Sequence, residues 1–377
     1  MAQRRPNLLL AAVHFLLLGG TQHPLGAHYD TVRAMRRGGF EPAGSPGGFE
    51  PAGSPGGVEP AESDRGSEPA ETMVPAHDVV TDFKDFCLEH RSRLLELVAV
   101  RHTQTNEVGR CTALLPALAH IAAGYPGGDA LQLLDLGTSA GLNLLFDSYS
   151  YTYSQRADGA LLDAGHPGAR VHLECAVRGD LDGLPRLGLP PIASRVGVDA
   201  LPIDPTSNDG ALWLLACMWP DNPGRFERLR GALATARTTP DKPTVHRGDI
   251  VDDLPAVVAG MAADGPLVVF HSWVAAYLST ERQTELVETV RGLSRTGPVH
   301  YVYAESPVET PGLPTPPSPS PGPTSQLATA LVYLGADGSP PVRLADMHHH
   351  GRWLRWWVTP TDPRARRGGP GPVRPPG

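Results

Sequence analysis

One short stretch constrains the fold more than any other part of this chain. Residues 131–143 read Leu-Gln-Leu-Leu-Asp-Leu-Gly-Thr-Ser-Ala-Gly-Leu-Asn. The apolar run predicts a buried strand, the small residues predict a tight turn, and Gly141 begins the helix expected to follow. In α/β proteins such a junction binds ligands, because the first helical turn offers unpaired backbone N–H groups and a positive dipole end. The stretch therefore predicts an α/β protein with a ligand site at this turn.

The same residues fit two kinds of chemistry. The spacing of Asp135, Gly137 and Gly141 is typical of a loop that binds a nucleotide or S-adenosylmethionine. Residues 137–141 also form a G-x-S-x-G, the pattern that carries the nucleophilic serine of α/β-hydrolases, here Ser139. The Lys of a P-loop and the G-x-G-x-x-G of a nicotinamide site are both absent from the sequence, which disfavours those two ligands.

Downstream of this turn, strand-like and helix-like segments alternate. Strands are predicted over residues 131–136, 171–177, 195–199, 244–249, 266–270 and 298–304, with a terminal antiparallel pair over 328–334 and 353–358. Helices are predicted over residues 8–18, 78–100, 209–219, 225–237 and 280–294. Alternation of this kind implies a sheet flanked by helices. We expect an α/β fold, with a Rossmann-like mainly parallel sheet of the class I methyltransferase type and an N-terminal helical cap.

Composition divides the chain further, because three segments bury too little apolar surface to offset the entropy of ordering them. The N-terminal helical part is expected over residues 1–37 and 72–126, and the Rossmann-like α/β domain over 127–359. Disorder is expected in a Gly/Pro repeat insertion at 38–71, in a Pro-rich loop at 307–325 within the α/β domain, and in a tail at 360–377.

Two acidic residues further along the chain also fit a site for a nucleotide-like cofactor. Asp199 and Asp249 each end a predicted strand. An acid at the end of the second strand accepts hydrogen bonds from ribose hydroxyls in dinucleotide sites, and one after the third can orient an adenine. The set predicts S-adenosylmethionine as the cofactor. The expected cofactor-binding residues are Asp135, Gly137, Ser139, Gly141 and Asn143, with Asp199 at the ribose and Asp249 at the adenine.

The pattern departs from the usual one in two places. Ser139 stands where the middle glycine of G-x-G-x-G is expected, and Asp199 lies 58 residues beyond Gly141. The expected spacing is about 20 residues. Either an insertion fills the gap or the assignment of Asp199 is wrong.

Four residues around 104–110 and one histidine are candidates for the acceptor side. Gln104, Asn106 and Arg110 are expected to bind substrate, and Glu107 and His271 are expected to be catalytic. His271 ends a buried strand at the edge that faces ligand in such sheets, so it is either a general base or a satisfied structural histidine. The alternative for residues 104–110 is a helix cap with an intrahelical ion pair.

Two other functions stay open at this point. A serine hydrolase would use Ser139, with Asp249 or Asp264 and His300 or His348 completing the triad. The serine turn of such enzymes normally follows several strands, whereas the chain before strand 131–136 is expected to be helical or disordered. A non-catalytic module is the third possibility. His348, His349 and His350 are consecutive, so on a strand they alternate sides and cannot converge on one ion; no metal is expected.

Charge and composition limit the kinds of partner that this protein is expected to bind. The formal net charge is −8, and the only lysines are Lys84 and Lys242, so the basic face of a nucleic-acid-binding protein is missing. The N-terminus resembles a secretory signal, but His14 interrupts its apolar run, which is too short to span a bilayer. We expect a cytoplasmic protein that acts on a small-molecule acceptor, with no nucleic acid and no membrane; the oligomeric state is left open.

Four motifs together resemble one known family. They are residues 6–14 (Pro-Asn-Leu-Leu-Leu-Ala-Ala-Val-His), 104–110 (Gln-Thr-Asn-Glu-Val-Gly-Arg), 139–144 (Ser-Ala-Gly-Leu-Asn-Leu) and 350–353 (His-Gly-Arg-Trp). The chain resembles the bacterial domain-of-unknown-function family 2332 over nearly all of its length. The resemblance implies that the first helix is internal to the domain, and that relatives carry a further N-terminal portion. It implies no particular reaction.

Overall fold

The structure is a computed structural model that describes residues 6–38, 78–125, 127–155, 159–262, 265–293, 297–320, 328–335 and 338–358. Two compact units divide the chain: the first comprises residues 1–104 and 207–226, and the second comprises 105–206 and 227–377. The expected repeat beyond Gly38, residues 321–325 of the Pro-rich loop, and the tail at 360–377 lie outside the described residues.

The elements are as follows. The α-helices are α1 Pro6–Leu18, α2 Asp30–Gly38, α3 Val79–Glu89, α4 Arg91–Val100, α5 Cys111–Ala122, α6 Asn208–Ala216, α7 Pro223–Thr238, α8 Leu254–Ala259 and α9 Thr280–Arg291. The strands are β1 Leu131–Leu136, β2 Ser150–Gln155, β3 Leu161–Gly165, β4 His172–Val177, β5 Ile192–Asp199, β6 Thr244–Arg247, β7 Leu267–Ser272, β8 Val299–Glu305, β9 Thr329–Gly335, β10 Val342–Met347 and β11 Trp353–Trp356.

The first unit is helical. Helix α1 is buried on nearly all sides, as its apolar sequence predicts, and it includes the buried His14. The His14 Nδ1 donates to the Ala216 carbonyl at 3.1 Å, and its Nε2 lies 2.8 Å from the Thr31 hydroxyl. The single helix predicted over 78–100 is wrong: it is two helices, because His90 takes φ −102° and ψ 21° and its ring packs on Phe86 at 4.5 Å.

The second unit is built on an 11-stranded sheet with the order β3-β2-β4-β11-β10-β9-β8-β7-β1-β5-β6. Five adjacent strands, β6-β5-β1-β7-β8, are all parallel. In chain order these five run third, second, first, fourth and fifth, which is the order of a doubly wound Rossmann sheet. The predicted α/β fold and mainly parallel sheet are thus confirmed, and β1 lies where the winding direction switches.

An insertion accounts for the long spacing between the loop after β1 and Asp199. Strands β2, β3 and β4 come from this insertion and lie at the far end of the sheet, where β4 pairs with β11. Strand β5 still pairs directly with β1, with Asp135 opposite Gly197. Asp199 therefore ends the strand next to β1 despite the spacing in sequence.

The helix predicted from Gly141 onward is instead a kinked 3-10 segment over Leu142–Ser148. Two tyrosine hydroxyls of the insertion bond to carbonyls that an α-helix would use: Tyr149 donates to Leu142 at 2.8 Å and Tyr151 donates to Phe146 at 2.5 Å. These bonds hold the chain in the shape that leads into β2.

The C-terminal strands also differ from expectation. The predicted pairing of 328–334 with 353–358 is wrong, because β10 lies between β9 and β11 and is antiparallel to both. The sequence pattern does not predict a strand over residues 342–347, because they contain Arg343 and Asp346. Both side chains are buried, and Arg343 Nε donates to Asp346 Oδ1 at 2.7 Å, so the charges compensate each other inside the fold.

The Pro-rich loop is expected to be disordered, but specific contacts hold its residues 307–320 in place. Leu313 is buried, and the Tyr303 hydroxyl donates to the Pro314 carbonyl at 2.8 Å. Arg343 donates to the Pro316 carbonyl at 2.8 Å, and the Ser318 hydroxyl donates to Asp346 at 2.6 Å. We call residues 307–320 the proline strap. Its proline-rich composition predicts disorder, but its carbonyls have buried partners that composition does not reveal.

Candidate functional site

The loop after β1, residues 137–141, has the conformation of a glycine loop. Gly137, Ser139 and Gly141 have φ of 70°, 57° and 73°. Among the residues the structure describes, Ser139 and Trp273 are the non-glycine residues with positive φ. Ser139 thus adopts the left-handed conformation that glycine usually supplies, and it does so at a cost of about 1 kcal/mol.

The loop and the neighbouring strand β5 are packed too closely for larger residues at one glycine in each. A Cβ on Gly137 would lie 2.3 Å from Val274 Cγ2, and one on Gly197 would lie 2.5 Å from Thr138 Cγ2. Gly137 follows β1 and Val274 follows β7, so this contact closes the point where the winding of the sheet reverses. Ligands of open α/β sheets bind at that point.

Asp199 reaches this loop. Its Oδ2 accepts a hydrogen bond from Ser139 N at 2.8 Å, and its Oδ1 accepts one from Leu201 N at 2.8 Å. Asp199 therefore lies beside the loop, where its position at a strand end predicts it. Its carboxylate holds the left-handed turn from the neighbouring strand end.

Asp135 lies beneath the loop and is buried. Its Oδ2 accepts a hydrogen bond from the Thr138 hydroxyl at 2.8 Å. Burial raises the pKa of Asp135 to about 7; the Thr138 hydrogen bond and Arg110 oppose this shift, and the charge of Asp199 adds to it. A carboxyl that titrates near neutrality therefore lies directly under the loop.

Asn106 faces the same loop from the segment before α5. Its Nδ2 donates to the Thr138 carbonyl at 2.8 Å, and the residue is 6% exposed. Its Oδ1 is buried and has no hydrogen-bond partner within the described part of the chain. A buried amide oxygen without a donor costs about 1–3 kcal/mol, so this atom fits a ligand that brings an N–H or O–H group.

Glu107 and Arg110 fix the segment around them. Glu107 caps the 3-10 turn Val108–Arg110, accepting from Gly109 N at 3.0 Å, which is the capping arrangement considered from the sequence. Arg110 NH1 donates to the Ser272 carbonyl at 2.9 Å, and Arg110 Nε donates to the His349 carbonyl at 3.1 Å. Arg110 therefore joins this segment to the ends of β7 and β10. Gln104 is the last residue of the first unit.

Asn143 and Asp249 lie apart from these contacts. The Cys111 thiol lies 3.5 Å from Asn143 Oδ1. Asp249 Oδ1 accepts from Val251 N, Asp252 N and Arg282 NH2 at 2.8, 3.0 and 2.7 Å. Burial raises the pKa of Asp249, but the backbone hydrogen bonds and Arg282 outweigh it and lower that pKa overall. Asp249 thus organises the turn after β6, two strands away from β1.

His271 lies on the opposite face of the sheet from Asp135. Asp135 pairs with Phe270, and His271 pairs with Leu136, so the two side chains point to opposite sides. The His271 ring is buried, with Nδ1 2.7 Å from Glu305 Oε1 and Nε2 2.7 Å from the Tyr301 hydroxyl. Both ring nitrogens therefore bond to protein groups.

Glu305, at the end of β8, was not singled out from the sequence. Its Oε1 also accepts from Val274 N at 2.9 Å and Ala275 N at 3.2 Å. Together, His271 and Glu305 hold the segment after β7, which carries Val274 against Gly137. The available signal was an acid at a predicted strand end, the same signal that pointed to Asp135 and Asp199.

The turn His348–Gly351 follows β10 and lies beside Glu107. His350 Nδ1 is 3.6 Å from Glu107 Oε2, and the His349 ring contacts Trp273 edge-on with centroids 5.8 Å apart. Burial, then the charges of His349 and Arg352, lower the pKa of His348 to about 4. Within the described ranges, no group of three or more His, Cys, Asp or Glu side chains is placed to hold a metal ion.

The side chains considered for a serine triad bond elsewhere. His300 lies 2.6 Å from the Tyr125 hydroxyl through Nε2 and 2.9 Å from the Tyr333 hydroxyl through Nδ1. Asp249 bonds to Arg282, and Asp264 lies outside the described residues. No helix in the part of the chain covered by the structure is both long and apolar enough to cross a membrane.

The sheet and its loop define an α/β protein with a Rossmann-like core and a glycine-type loop at the winding switch. The chain belongs to the bacterial family described as "Uncharacterized protein conserved in bacteria (DUF2332)", whose model matches residues 66–356. This confirms the family resemblance seen in the sequence motifs.

Among solved structures, the chain is similar to the crystal structure of magnesium protoporphyrin IX methyltransferase (ChlM) from Synechocystis PCC 6803 with bound SAM, with 13% sequence identity and a TM-score of 0.24. The match covers 62% of this chain and 79% of that one. None of the curated proteins matches.

Proposed function

We propose that this protein binds S-adenosylmethionine at the loop 137–141 and transfers its methyl group to a small-molecule acceptor. The observation that carries the proposal is the meeting of three hydrogen-bond acceptors at one loop. Asp199 bonds to Ser139, Asn106 bonds to Thr138 with its Oδ1 unpartnered, and Asp135 lies beneath. The loop is at the winding switch of a parallel sheet, where such sheets bind ligands.

The donor and acceptor chemistry of these residues fits the cofactor. S-adenosylmethionine carries an ammonium group, ribose hydroxyls and a sulfonium, so it needs hydrogen-bond acceptors and negative charge. Asn106 Oδ1 can accept from the ammonium group. Each Asp199 oxygen accepts one backbone N–H, which leaves lone pairs for ribose hydroxyls. Asp135 supplies negative charge beneath the loop when it is ionised.

The remaining cofactor-side residues would shape and extend this site. Gly137 allows the loop to pack against Val274, Gly141 supplies a positive φ of 73°, and Asn143 is the second residue after the loop. Asp249 would accept from an adenine amino group at the turn after β6. When bound, the cofactor supplies an electrophilic methyl group on sulfur. The contribution of the chain is alignment of that methyl group with the acceptor, which needs few catalytic side chains.

On the acceptor side, the contacts support different roles for the expected residues. Glu107 and Arg110 build the wall of the site through Gly109, Ser272 and His349. His271 acts through Glu305 as a positioning residue for the segment after β7. The proposal includes a protein that acts in the cytoplasm and binds neither membrane nor nucleic acid. The net charge of −8 supports the last of these, because it leaves no basic face for nucleic acid.

Isothermal titration calorimetry with S-adenosylmethionine and S-adenosylhomocysteine tests the proposal. We expect both to bind, and Asp199→Asn to weaken binding about tenfold or more, because a charged acceptor and a loop contact are lost together. The exposed Asp182 is the matched control, and Asp182→Asn should bind like the unmodified protein. If neither ligand gives a measurable heat of binding at millimolar concentration, the proposal is wrong.

A further inference from the structure

Two unusually exposed apolar side chains lie on neighbouring segments of the second unit. Tyr277 is 87% exposed and Val308 is 75% exposed, the two highest values for large apolar side chains among the residues that the structure describes. Tyr277 ends the 3-10 turn after β7, and Val308 lies in the segment after β8. Since β7 and β8 are parallel, both segments leave the same edge of the sheet, where open α/β sheets bind ligands. We call these two residues the exposed pair.

The buried Gln283 of α9 brings these two segments together. Its Nε2 donates to the carbonyls of Ala275 and Leu278 at 3.1 and 3.3 Å, and to the carbonyl of Glu309 at 3.3 Å. In the sequence, the first two carbonyls lie on either side of the exposed tyrosine, and the third belongs to the residue directly after the exposed valine. One buried amide group therefore fixes both members of the exposed pair relative to each other.

The segment after β7 also touches the loop 137–141. A Cβ on Gly137 would lie 2.3 Å from Val274 Cγ2, so these two residues are in direct contact. Tyr277 N donates to the Val274 carbonyl at 3.0 Å, which places the exposed tyrosine one turn away from that contact. The buried Glu305 accepts from Val274 N at 2.9 Å and holds the segment in this position. Contacts therefore place the exposed pair beside the proposed cofactor loop.

The backbone at the start of this segment is strained. Trp273 has a φ of 56°, a left-handed conformation that bulky residues rarely adopt. Its N donates to the Ala304 carbonyl at 3.2 Å, and its indole Nε1 donates to the Thr329 hydroxyl at 3.0 Å. These hydrogen bonds enforce the turn that leads from β7 to the exposed tyrosine. Residues held in such conformations cluster at ligand sites, which supports a functional role for this segment.

We propose that the exposed pair is the surface on which the body of the acceptor lies, and that this acceptor is a planar aromatic molecule; this rests on the proposed function. The face of a tyrosine ring stacks favourably on another aromatic ring. A stable protein partner needs about 800 Å² from each side, which two side chains do not supply. A small ligand needs less area, and it gains from a surface whose position is already fixed.

The matched compounds 2-naphthol and decahydro-2-naphthol test this proposal. Both are uncharged at pH 7 and carry a hydroxyl on the same fused carbon skeleton, but only 2-naphthol is planar and aromatic. Each is titrated by calorimetry into the full-length protein in the presence of saturating S-adenosylhomocysteine. We expect 2-naphthol to bind about tenfold more tightly than its saturated counterpart, because only the aromatic ring stacks on Tyr277.

Variants of the exposed pair assign this binding to its two side chains. Tyr277→Ser should weaken 2-naphthol binding about tenfold, whereas Tyr277→Phe keeps the ring and should stay within about twofold. Val308→Ser should weaken it about threefold. Both side chains are exposed, so these variants should fold, and S-adenosylhomocysteine binding should be unchanged because Val274 still contacts the loop. Leu161→Ser, at an exposed position of β3 at the far end of the sheet, is the control and should change neither affinity.

The other possible results separate this proposal from the proposed function. Equal binding of the two compounds, or an unchanged 2-naphthol affinity in Tyr277→Ser, overturns the aromatic acceptor surface while S-adenosylhomocysteine binding leaves the proposed function standing. A dimer in analytical ultracentrifugation that Tyr277→Ser dissociates shows that a second copy of the chain covers the exposed pair, and also overturns it. If S-adenosylhomocysteine does not bind the unmodified protein, the proposed function is wrong, and the acceptor surface with it.

Discussion

The loop after β1 and the end of that strand each contain a residue in an arrangement that is unfavourable for folding. Ser139 has a φ of 57°, and Asp135 is a buried carboxyl whose pKa burial raises to about 7. A left-handed serine costs about 1 kcal/mol, and an ionised carboxyl in a buried position costs more. Strain of this kind persists where the surrounding structure enforces it, and it concentrates at functional sites. Both residues are held here by the neighbouring Asp199 and Thr138.

Replacing Asp135 should reveal the cost of its ionisation. Its folded-state pKa of about 7 lies above the ordinary 3.8, so its favourable contribution is complete below pH 3.8 and is lost as pH rises through 7. Asp135→Asn cannot ionise. We expect its stability, relative to the unmodified protein, to be on the order of 2 kcal/mol better at pH 8 than at pH 5. Urea denaturation at both pH values measures this, and identical pH dependence of the two proteins would contradict it.

The contact between Gly137 and Val274 should limit substitution at this glycine. Gly137→Ala requires both a positive φ and displacement of Val274, so we expect a loss of about 2–4 kcal/mol. Gly128→Ala is the matched control: its φ is 82°, but a Cβ there meets nothing within 4 Å. It should cost about 1 kcal/mol. Val274→Ala should recover part of the loss in the double variant, and strictly additive losses would show that the contact is not the cause.

The position of a side chain at the end of its own strand could be predicted from the sequence. Asp135 and Asp199 lie close together because the ends of neighbouring parallel strands meet at one edge of the sheet. The face on which His271 lies was not predictable, because it depends on the parity of the strand and on which helices cover each face. Glu107 and His350 meet from positions far apart in sequence, and local patterns do not encode such contacts.

At the scale of elements, the proline strap shows how a buried ion pair can order a segment of unfavourable composition. Arg343 pairs with Asp346 and donates to Pro316, while Asp346 accepts from Ser318. The strand β10 and the strap are therefore ordered together. The sequence pattern does not predict β10, because paired buried charges look like surface charges when only one chain segment is read. It does not predict an ordered strap, because proline-rich composition does not show which buried side chains its carbonyls meet.

Removing one partner of this pair should release the strap. Arg343→Met leaves Asp346 buried without its cation, so we expect a loss of about 3 kcal/mol or more, and new proteolytic cleavage between residues 307 and 320. Arg230→Met on α7 removes a more exposed partner and should cost less than about 1 kcal/mol, with the strap still protected. Denaturation and limited proteolysis with mass spectrometry give the two readouts. An intact strap in Arg343→Met would show that its apolar contacts suffice.

For the whole molecule, the two units should respond differently to acid. Burial lowers the pKa of His14 in the first unit to about 4, against an ordinary 6.5, while hydrogen bonds from the chain oppose the shift. Its contribution to stability is complete above pH 6.5 and is lost as pH falls towards 4, by about 3 kcal/mol.

Hydrogen exchange with mass spectrometry follows each unit separately. We expect the protection of α1, after correction for intrinsic rates, to fall between pH 7.5 and pH 5, because His14 binds a proton more readily in the opened state. The protection of α9, which packs in the core of the second unit, is the internal control. Equal changes in α1 and α9 would rule out His14 as the cause.

The backbones at Gly109 and Gly351 are in direct contact, since a Cβ on Gly351 would lie 1.8 Å from the Gly109 carbonyl oxygen, and this contact fixes an order of events for the nascent chain. Translation at about 5–20 residues per second separates these two glycines by some ten to fifty seconds. Throughout that interval β4 lacks its neighbour β11, and Gly109 lacks the backbone of Gly351 against which it packs. A chain interrupted before residue 351 would therefore present an unpaired strand edge to chaperones and proteases.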